Sequence, residues 1–452
     1  MKRLIYSLIL VCFVATPTYA QEYKGVHSSS YLPFVGLVNQ PGDLIRNDAR
    51  WNVNLLSANI ALMSDMNFAS QDFWDVVGRV GLSDLKHFLG SEESLLYVKG
   101  RMMLPSLSYR LNDRHALAVA VSYRADGVYN SSNDDLLKLF KGLENPEYLE
   151  DIKSEYFRSL LNSWVEYAFS WSSSLIKTDT HWLTGGLTLK LLNGSGSGYL
   201  QMDDIDIMFD KEQIEQFDFH LTYGFNESLG KTVDGGDIVE QSGDFGVGVD
   251  IGLSYSYLPD HLQGIKGIPY RYKVGLAIAD WGYIKHKQTR AQASYWVRMQ
   301  DVPYSRFQGV ESLQALKDSI EKSVDFEEQD GGSFNTKLPL TVGATLDYCL
   351  RPSFFVNTSF SYSPNYYRSQ VRLVSRQVWR GNLTFRYEKR KWAAFLPLSY
   401  SSVKGSYVGA AARYGRFFVG SPTIFSALFD SHLEGQVFYV GMSIPIGRSF
   451  NE

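Results

Sequence analysis

Phe245-Gly246-Val247-Gly248-Val249-Asp250-Ile251-Gly252-Leu253-Ser254-Tyr255-Ser256-Tyr257 is the stretch that decides the fold. Large apolar side chains alternate with small or polar ones, and the apolar row ends in tyrosines. A period of two is a β-strand. In a sandwich the apolar row would face a core, and strands there rarely run so long. Apolar and aromatic outward with small and polar inward is the pattern of a strand that crosses a membrane in a barrel. Leu117 to Tyr123 alternates in the same way, as do Phe217, Phe219, Leu221, Tyr223 and Phe225 against Asp218, His220, Thr222 and Gly224.

The connections agree. Predicted strands 99–111 and 115–124 are joined by Asn112-Asp113-Arg114, and 162–175 and 181–192 by Ile176 to Thr180. Strands 336–348 and 354–363 flank Arg351-Pro352-Ser353, and 376–388 and 392–401 flank Lys389-Arg390-Lys391. Longer stretches at 63–98, 125–161, 193–214 and 298–335 lie between. Short turns alternating with long loops characterise outer-membrane barrels, and the parse gives about sixteen strands, with a weak pair at 404–421. Three loops carry helical spacing: Phe73, Val76, Val77 and Val80; Leu149, Ile152, Tyr156 and Leu160; and Leu313, Leu316, Ile320 and Val324. Each is too short to span a bilayer and is expected to lie over the barrel mouth, as a cover or as a docking surface.

The composition fits a membrane barrel. Tyr 29, Phe 27 and Gly 38 with a mean hydropathy of −0.18 suit a wall that alternates between lipid and water. After the N-terminus no run reaches the roughly 18 apolar residues of a membrane helix. Lys2-Arg3, an apolar run from Leu4 to Val14 and Thr18-Tyr19-Ala20 read as a signal peptide cleaved after Ala20. Val11 does not suit a lipoprotein reading of Cys12. Residues 1–20 are thus the expected leader. Cleavage leaves Cys349 as the lone cysteine, without an intramolecular disulfide. A formal charge of −4 excludes a polybasic protein, so no nucleic-acid partner is expected.

No constellation of catalytic residues emerges. Asp203, Asp204, Asp206 and Asp210 lack the spacing of a calcium loop and read as an acidic external loop. Tyr199, Met202, Ile205, Ile207 and Phe209 are interleaved with them and could fold inward to line a path. Gly194 to Gly198 lacks the Lys-Ser/Thr of a phosphate loop. Asp244-Phe245-Gly246 and Ser174-Leu175-Ile176-Lys177 copy fragments of kinase and penicillin-binding motifs without their companions. The eight His residues are scattered, and none has triad or zinc spacing. No enzyme, metal or cofactor is expected. Arg368, Arg372, Arg376, Arg380, Arg386 and Arg390 make a basic strip that reads as lumenal and turn cations, or as a site for a carboxylate or lipopolysaccharide phosphate. Tyr439-Val440-Gly441-Met442-Ser443-Ile444-Pro445-Ile446 matches a barrel-insertion signal.

Four segments carry a family resemblance. Asn39-Gln40-Pro41-Gly42 followed by Trp51 to Leu55 resembles the start of FadL-like barrels. Gly246 to Leu253 resembles their Asp-x-Gly-Leu strand, and Val274 to Gly282 the strand after it. Phe438 to Gly447 is similar to the closing strand of an uncharacterised outer-membrane family common in Bacteroidetes. The resemblance implies an outer-membrane, multi-pass all-β antiparallel barrel of about fourteen strands over 51–452, plugged by an N-terminal hatch over 21–50 in which Asn39, Pro41 and Gly42 take part. It implies uptake of a small hydrophobic or amphipathic solute, or else an accessory or anchor role for secreted or surface proteins of the type IX secretion and gliding kind. The expected partners are outer-membrane lipid and lipopolysaccharide, a hydrophobic small molecule, or a secreted or surface protein.

Overall fold

The computed structural model describes residues 23–47, 49–68, 94–133, 151–210, 213–226, 244–303, 333–363, 379–401, 405–429 and 433–447. Eighteen strand segments form one antiparallel sheet that closes on itself. Four staves are each built from two segments in line, which share both neighbours in two of them and one neighbour in the other two, so the barrel has fourteen staves rather than sixteen. In chain order these are β1 Trp51–Phe68, β2 Ser94–Met103 with Ser106–Arg110, β3 His115–Ser131, β4 Ile152–Lys177 and β5 His181–Asp210. There follow β6 Gln213–Asn226 with Asp244–Tyr257, β7 Tyr272–Pro303, β8 Ser333–Lys337 with Thr341–Arg351, β9 Phe354–Tyr362 and β10 Trp379–Glu388. The last four are β11 Trp392–Ser401, β12 Gly405–Val408 with Ala410–Tyr414, β13 Phe417–Ser421 and β14 Leu433–Ile446. β1 and β14 close the ring from Trp51 opposite Ile446 upward. Pro105 and Pro339 break β2 and β8 because proline has no N–H to give a ladder. The weak pair expected at 404–421 is the three short pieces of β12 and β13.

The tight turns 111–114, 178–180, 352–353, 389–391 and 415–416 share the end that holds Trp51 and Ile446. From Tyr255 to Phe245 the lipid-facing row of β6 climbs ten residues, roughly 25 Å at barrel tilt, the height of an outer-membrane apolar band. β4 to β7 continue well above it. On β6 the two segments invert: Phe245, Val247, Ile251 and Leu253 are exposed, whereas Phe219, Leu221 and Tyr223 are buried. The lower segment meets lipid and turns its apolar row out. The upper one rises into water and turns its apolar row in.

This upper wall overturns two expectations. The stretch 193–214 is mostly strand, not loop, and Ile152 to Leu160 is strand, not helix. Ile152, Tyr156 and Leu160 lie four apart and share one parity, a spacing that one face of a strand gives as readily as a helix does. Pairing to β3 and β5 on both sides decides the conformation. The helical patterns at 73–80 and 313–324, and Leu149, lie outside the described residues. No described helix is long and apolar enough to cross a membrane.

Candidate functional site

Residues 23–46 lie inside the barrel near the tight-turn end, as short turns Val26–Ser28 and Pro41–Arg46 around helix α1, Pro33–Leu37. The expected hatch residues sit on a floor of glycines. Gln40 Nε2 donates to the carbonyls of Leu253 at 3.0 Å and Leu276 at 3.2 Å, on β6 and β7. A Cβ on Gly252 or Gly275 would strike the Gln40 side chain, and one on Gly186 would strike Pro41. Gly42 accepts from Ser172 at 3.1 Å, and Asn39 donates within the plug to Val35 at 3.4 Å. The two short motifs noticed separately, Asn39–Gly42 and Asp-x-Gly-Leu, therefore touch: Gly252 is the seat of Gln40.

Charged latches flank the seat. Asp43 pairs with Lys273 at 2.6 Å and Arg46 at 3.3 Å. Burial raises the Asp43 pKa, but Lys273 and Arg46 outweigh it and hold the carboxyl below its usual range. Arg46 also donates to Ser256 at 2.8 Å and to the carbonyls of Trp182 and Ser254, and stacks over Trp182. At the other end Lys24 donates to Tyr407, Tyr439 to the Lys24 carbonyl, Arg386 to the Ser28 carbonyl and Ser29 to Glu388. Tyr23 packs edge-on to Phe418 and Tyr439. His27 is buried with both ring nitrogens unpartnered. Burial first, then the charges of Lys273 and Arg386, push its pKa down to about 4.

Above the plug, six consecutive staves each contribute one buried charge: Arg101, Arg124, Glu166, Lys190, Asp250 and Asp280. Arg124 grips both oxygens of Asp280 at 2.8 and 2.9 Å and Glu166 at 2.9 Å. Lys190 bridges Asp250 and Asp280, each at 2.7 Å. Arg101 pairs with Glu166 at 3.2 Å. Three cations match three acids. β3 and β7 are four staves apart, which in a circular fourteen-stave barrel would separate them by roughly 20 Å, beyond the combined reach of Arg and Asp. The Arg124–Asp280 pair therefore records a wall pinched into a small lobe, β3 to β8. Asn162 on β4 confirms it by donating to Thr336 on β8 at 3.1 Å, while Trp164 packs with Leu338.

In the small lobe His286 lies between Asp244 at 2.8 Å and Thr336 at 2.7 Å. Asn226 and the Lys287 N–H also hold Asp244. The order acid, His, hydroxyl resembles a nucleophile relay, but its groups are buried and satisfied. Thr336 accepts from Asn162, and the Thr336 hydroxyl and the Asp244 carboxylate each sit within hydrogen-bond distance of one ring nitrogen of His286. The chain of bonds locks the place where β6 is interrupted. Asp244 had looked like a chance motif, and no sequence spacing links it to His286.

The large lobe, β8 round to β2, differs. Asn52, Asn54, Ser57, Asn59, Asn357, Ser359, Ser361, Asn382, Thr384, Ser399 and Ser401 are all buried. Its charges occur as pairs, such as Arg386 with Asp347 at 2.7 Å. Between this wall, the belt and plug residues Val38–Gln40 remains a cavity of about 30 Å³, room for a water or two.

Of the path candidates, Tyr199, Met202, Ile205 and Ile207 are buried and Phe209 is half-buried. They belong to β5, not to a gating loop. Asp203 and Asp206 on the same strand pair with Arg158 and Lys153. Arg380 begins β10, apart from Arg386 lower on that stave. Arg368, Arg372 and Arg376 lie outside the described residues. Among the described residues no group of His, Cys, Asp and Glu could hold a metal ion.

One further feature faces the bilayer. β13 stops at Ser421, and among the described residues no strand bridges Gly405–Val408 of β12 and the upper part of β14. Helix α2, Ile424–Phe429, stands there instead. Ser426 caps the Val408 N–H at 2.9 Å and Thr423 caps the Val437 N–H at 3.1 Å, edges that would otherwise be unsatisfied in lipid. Tyr407 and Tyr439, which hold Lys24 of the plug, flank this window.

No curated protein is detectably similar in sequence. Among solved structures, a Pseudomonas aeruginosa FadL homologue aligns with TM-score 0.49 at 11% identity, covering 96% of this chain and 100% of that one. The Ralstonia pickettii toluene transporter TbuX aligns with TM-score 0.41 at 10% identity, covering 90% and 92%. The Pseudomonas putida toluene transporter TodX aligns with TM-score 0.37 at 9% identity, covering 95% and 98%. Residues 41–421, from the plug's Pro41 to the last residue of β13, match one family over most of the chain. The chain belongs to the DUF5723 family, a family of unknown function.

Proposed function

We propose that this protein is an outer-membrane channel for a small amphipathic solute, opened when the plug leaves its seat. The carrying observation is how the plug is held. Every described backbone–backbone hydrogen bond of residues 23–46 stays within the segment and its own C-terminal turn. The wall holds it through side chains, so the plug can leave without unzipping the sheet. The buried apolar face of the tall β4–β7 wall is suited to take the apolar part of a solute, and the α2 window gives that part a way into the bilayer. Export by a cleaved leader and an outer-membrane address complete this reading.

A thiol cross-link tests it. Ser30 and Lys389 are exposed and lie on either side of the contact between the Ser30 N–H and Glu388. With Ser30→Cys and Lys389→Cys joined by a bis-maleimide, uptake of a fluorescent amphipath into proteoliposomes should fall at least tenfold. The same variant capped with a monofunctional maleimide should keep its uptake. Equal uptake in both would overturn the gate.

The closed lumen favours a second reading, an accessory barrel that anchors a secreted or surface protein. Stoichiometric co-purification of such a protein, with no uptake activity, would support it.

A further inference from the structure

We infer that the polar end of the solute is an uncharged group carrying hydroxyl or N–H donors, and that it is read by the large-lobe wall at Asn54, Asn59, Asn357 and Ser361 together with Gln40. This rests on the plug-gated reading.

All five side chains are at least nine-tenths buried, and each has a polar atom without a protein partner: Oδ1 of the three Asn, Oγ of Ser361 and Oε1 of Gln40. Two of these acceptors have their orientation fixed. Asn54 Nδ2 faces the carbonyls of Met103 and Leu104, each at 3.4 Å, and Gln40 Nε2 is spent on Leu253 and Leu276. In both, the amide oxygen must be the unpartnered atom. Gln40 and Ser361 line the cavity at the top of the plug, and Asn59 stands opposite Arg101, which lines it too. A buried acceptor that lacks a donor costs free energy. A hydroxyl or amide N–H on a solute relieves that cost, whereas a carboxylate or phosphate brings only more acceptors.

The cations nearby do not offset this for an anion. Arg101, Arg124 and Lys190 are matched by Glu166, Asp250 and Asp280, Arg386 by Asp347 and Glu388, and Lys273 by Asp43. Lys99, also on the cavity, and Arg380, opposite Ser361 on β10, are engaged as well. An anionic head would have to break a buried pair and leave its acid alone. A cationic head would meet Lys99 and Arg101. What remains is a neutral donor-bearing head, such as a glycerol, a sugar or an amide.

Calorimetric titration of the full-length protein in nanodiscs at pH 8 tests this with 1-octanoylglycerol and octanoate, which share a tail and differ in the head. The expected result is at least tenfold tighter binding of the octanoylglycerol. Asn54→Leu and, separately, Ser361→Ala should each lower that preference several-fold while the unfolding midpoint of the barrel is kept. Equal or tighter binding of octanoate would overturn the inference, as would a preference untouched by both variants. If neither compound binds while the Ser30–Lys389 cross-link still blocks uptake, the inference alone falls. If the cross-link blocks nothing, the plug-gated reading falls with it.

Discussion

The small lobe and the large lobe are two arcs of one sheet and differ in what their inner faces carry. The small lobe holds matched charges, buried and tied across four staves. The large lobe carries mostly neutral amides and hydroxyls beside a few ion pairs such as Arg386–Asp347, and the plug lies against both lobes, seated on Gly186, Gly252 and Gly275 of β5, β6 and β7. The difference is one of exchangeability. A neutral hydrogen bond has a net value of about 0.5–1.5 kcal/mol, so plug, water and solute can replace one another on such a wall at little cost. A buried ion pair cannot be opened in this way, because each freed charge must be rehydrated or left bare. The charged belt is therefore a fixed strut, and on the plug-gated reading proposed above the neutral wall is the operable face.

The sharpest way to break this contrast is at the strut. Arg124→Ala strands Glu166 and Asp280 without their shared cation and should cost about 3–5 kcal/mol. Arg124→Met with Asp280→Asn removes one charge of each sign and leaves Lys190–Asp250 and Arg101–Glu166 intact. Asn also tolerates the left-handed backbone at 280, where φ is 58°. The double variant should recover most of the loss. Urea unfolding of the detergent-solubilised barrel, followed by its gel mobility, reads both; a double variant as weak as the single would show that the pair is no strut.

The next test moves to the seat. Gly252→Val places a side chain where Gln40 lies. Overpacking of this kind typically costs about 1–3 kcal/mol, and here it should fall on plug docking rather than on the barrel. Protease cleavage within 23–46 should speed up about tenfold or more, with the unfolding midpoint little changed. Loss of the barrel itself would mean that plug and wall form one cooperative unit.

How far the sequence could be read follows the same division. The lower segment of β6 was legible because lipid on one side and a packed interior on the other write a clean alternation. The stretch of β5 from Tyr199 to Asp210 was taken for a loop because it stands above the bilayer, where water on its outer face permits Asp204 and Asp206. The spacing of Ile152, Tyr156 and Leu160 fits a helix and one face of a strand alike, and only the pairing partners decide between them. The plug quartet and Gly252 were each visible, but their contact depends on barrel closure. The belt was invisible: nothing near Asp250 in sequence announces Lys190 or Asp280, and Asp244, His286 and Thr336 are 42 and 50 residues apart. Polar residues on inward positions could be counted from sequence, whereas their sorting into a charged lobe and a neutral one could not.

The smallest expected effect sharpens the contrast through pH. His27 belongs to the plug, on the operable side, and its pKa is about 4 when docked against an ordinary 6.5 when released. A lowered docked pKa means that the released plug binds the proton more readily. Docking is therefore at full strength above pH 6.5 and weakens as pH falls toward 4, by about 1.4 kcal/mol per unit. At pH 5.5 the docking equilibrium constant should be roughly tenfold lower than at pH 7.5. The cause is local: burial, then Lys273, Arg386 and Lys24, all oppose an imidazolium there. Plug proteolysis measured across this range should thus accelerate on acidification in the native protein and respond far less in His27→Gln. Asp43 does not mimic the effect between pH 7.5 and 5.5, since Lys273 and Arg46 hold its carboxyl ionised throughout. An identical pH response in native protein and variant would place the acid-sensitive group outside the plug, and the large lobe would lose its claim to be the moving side.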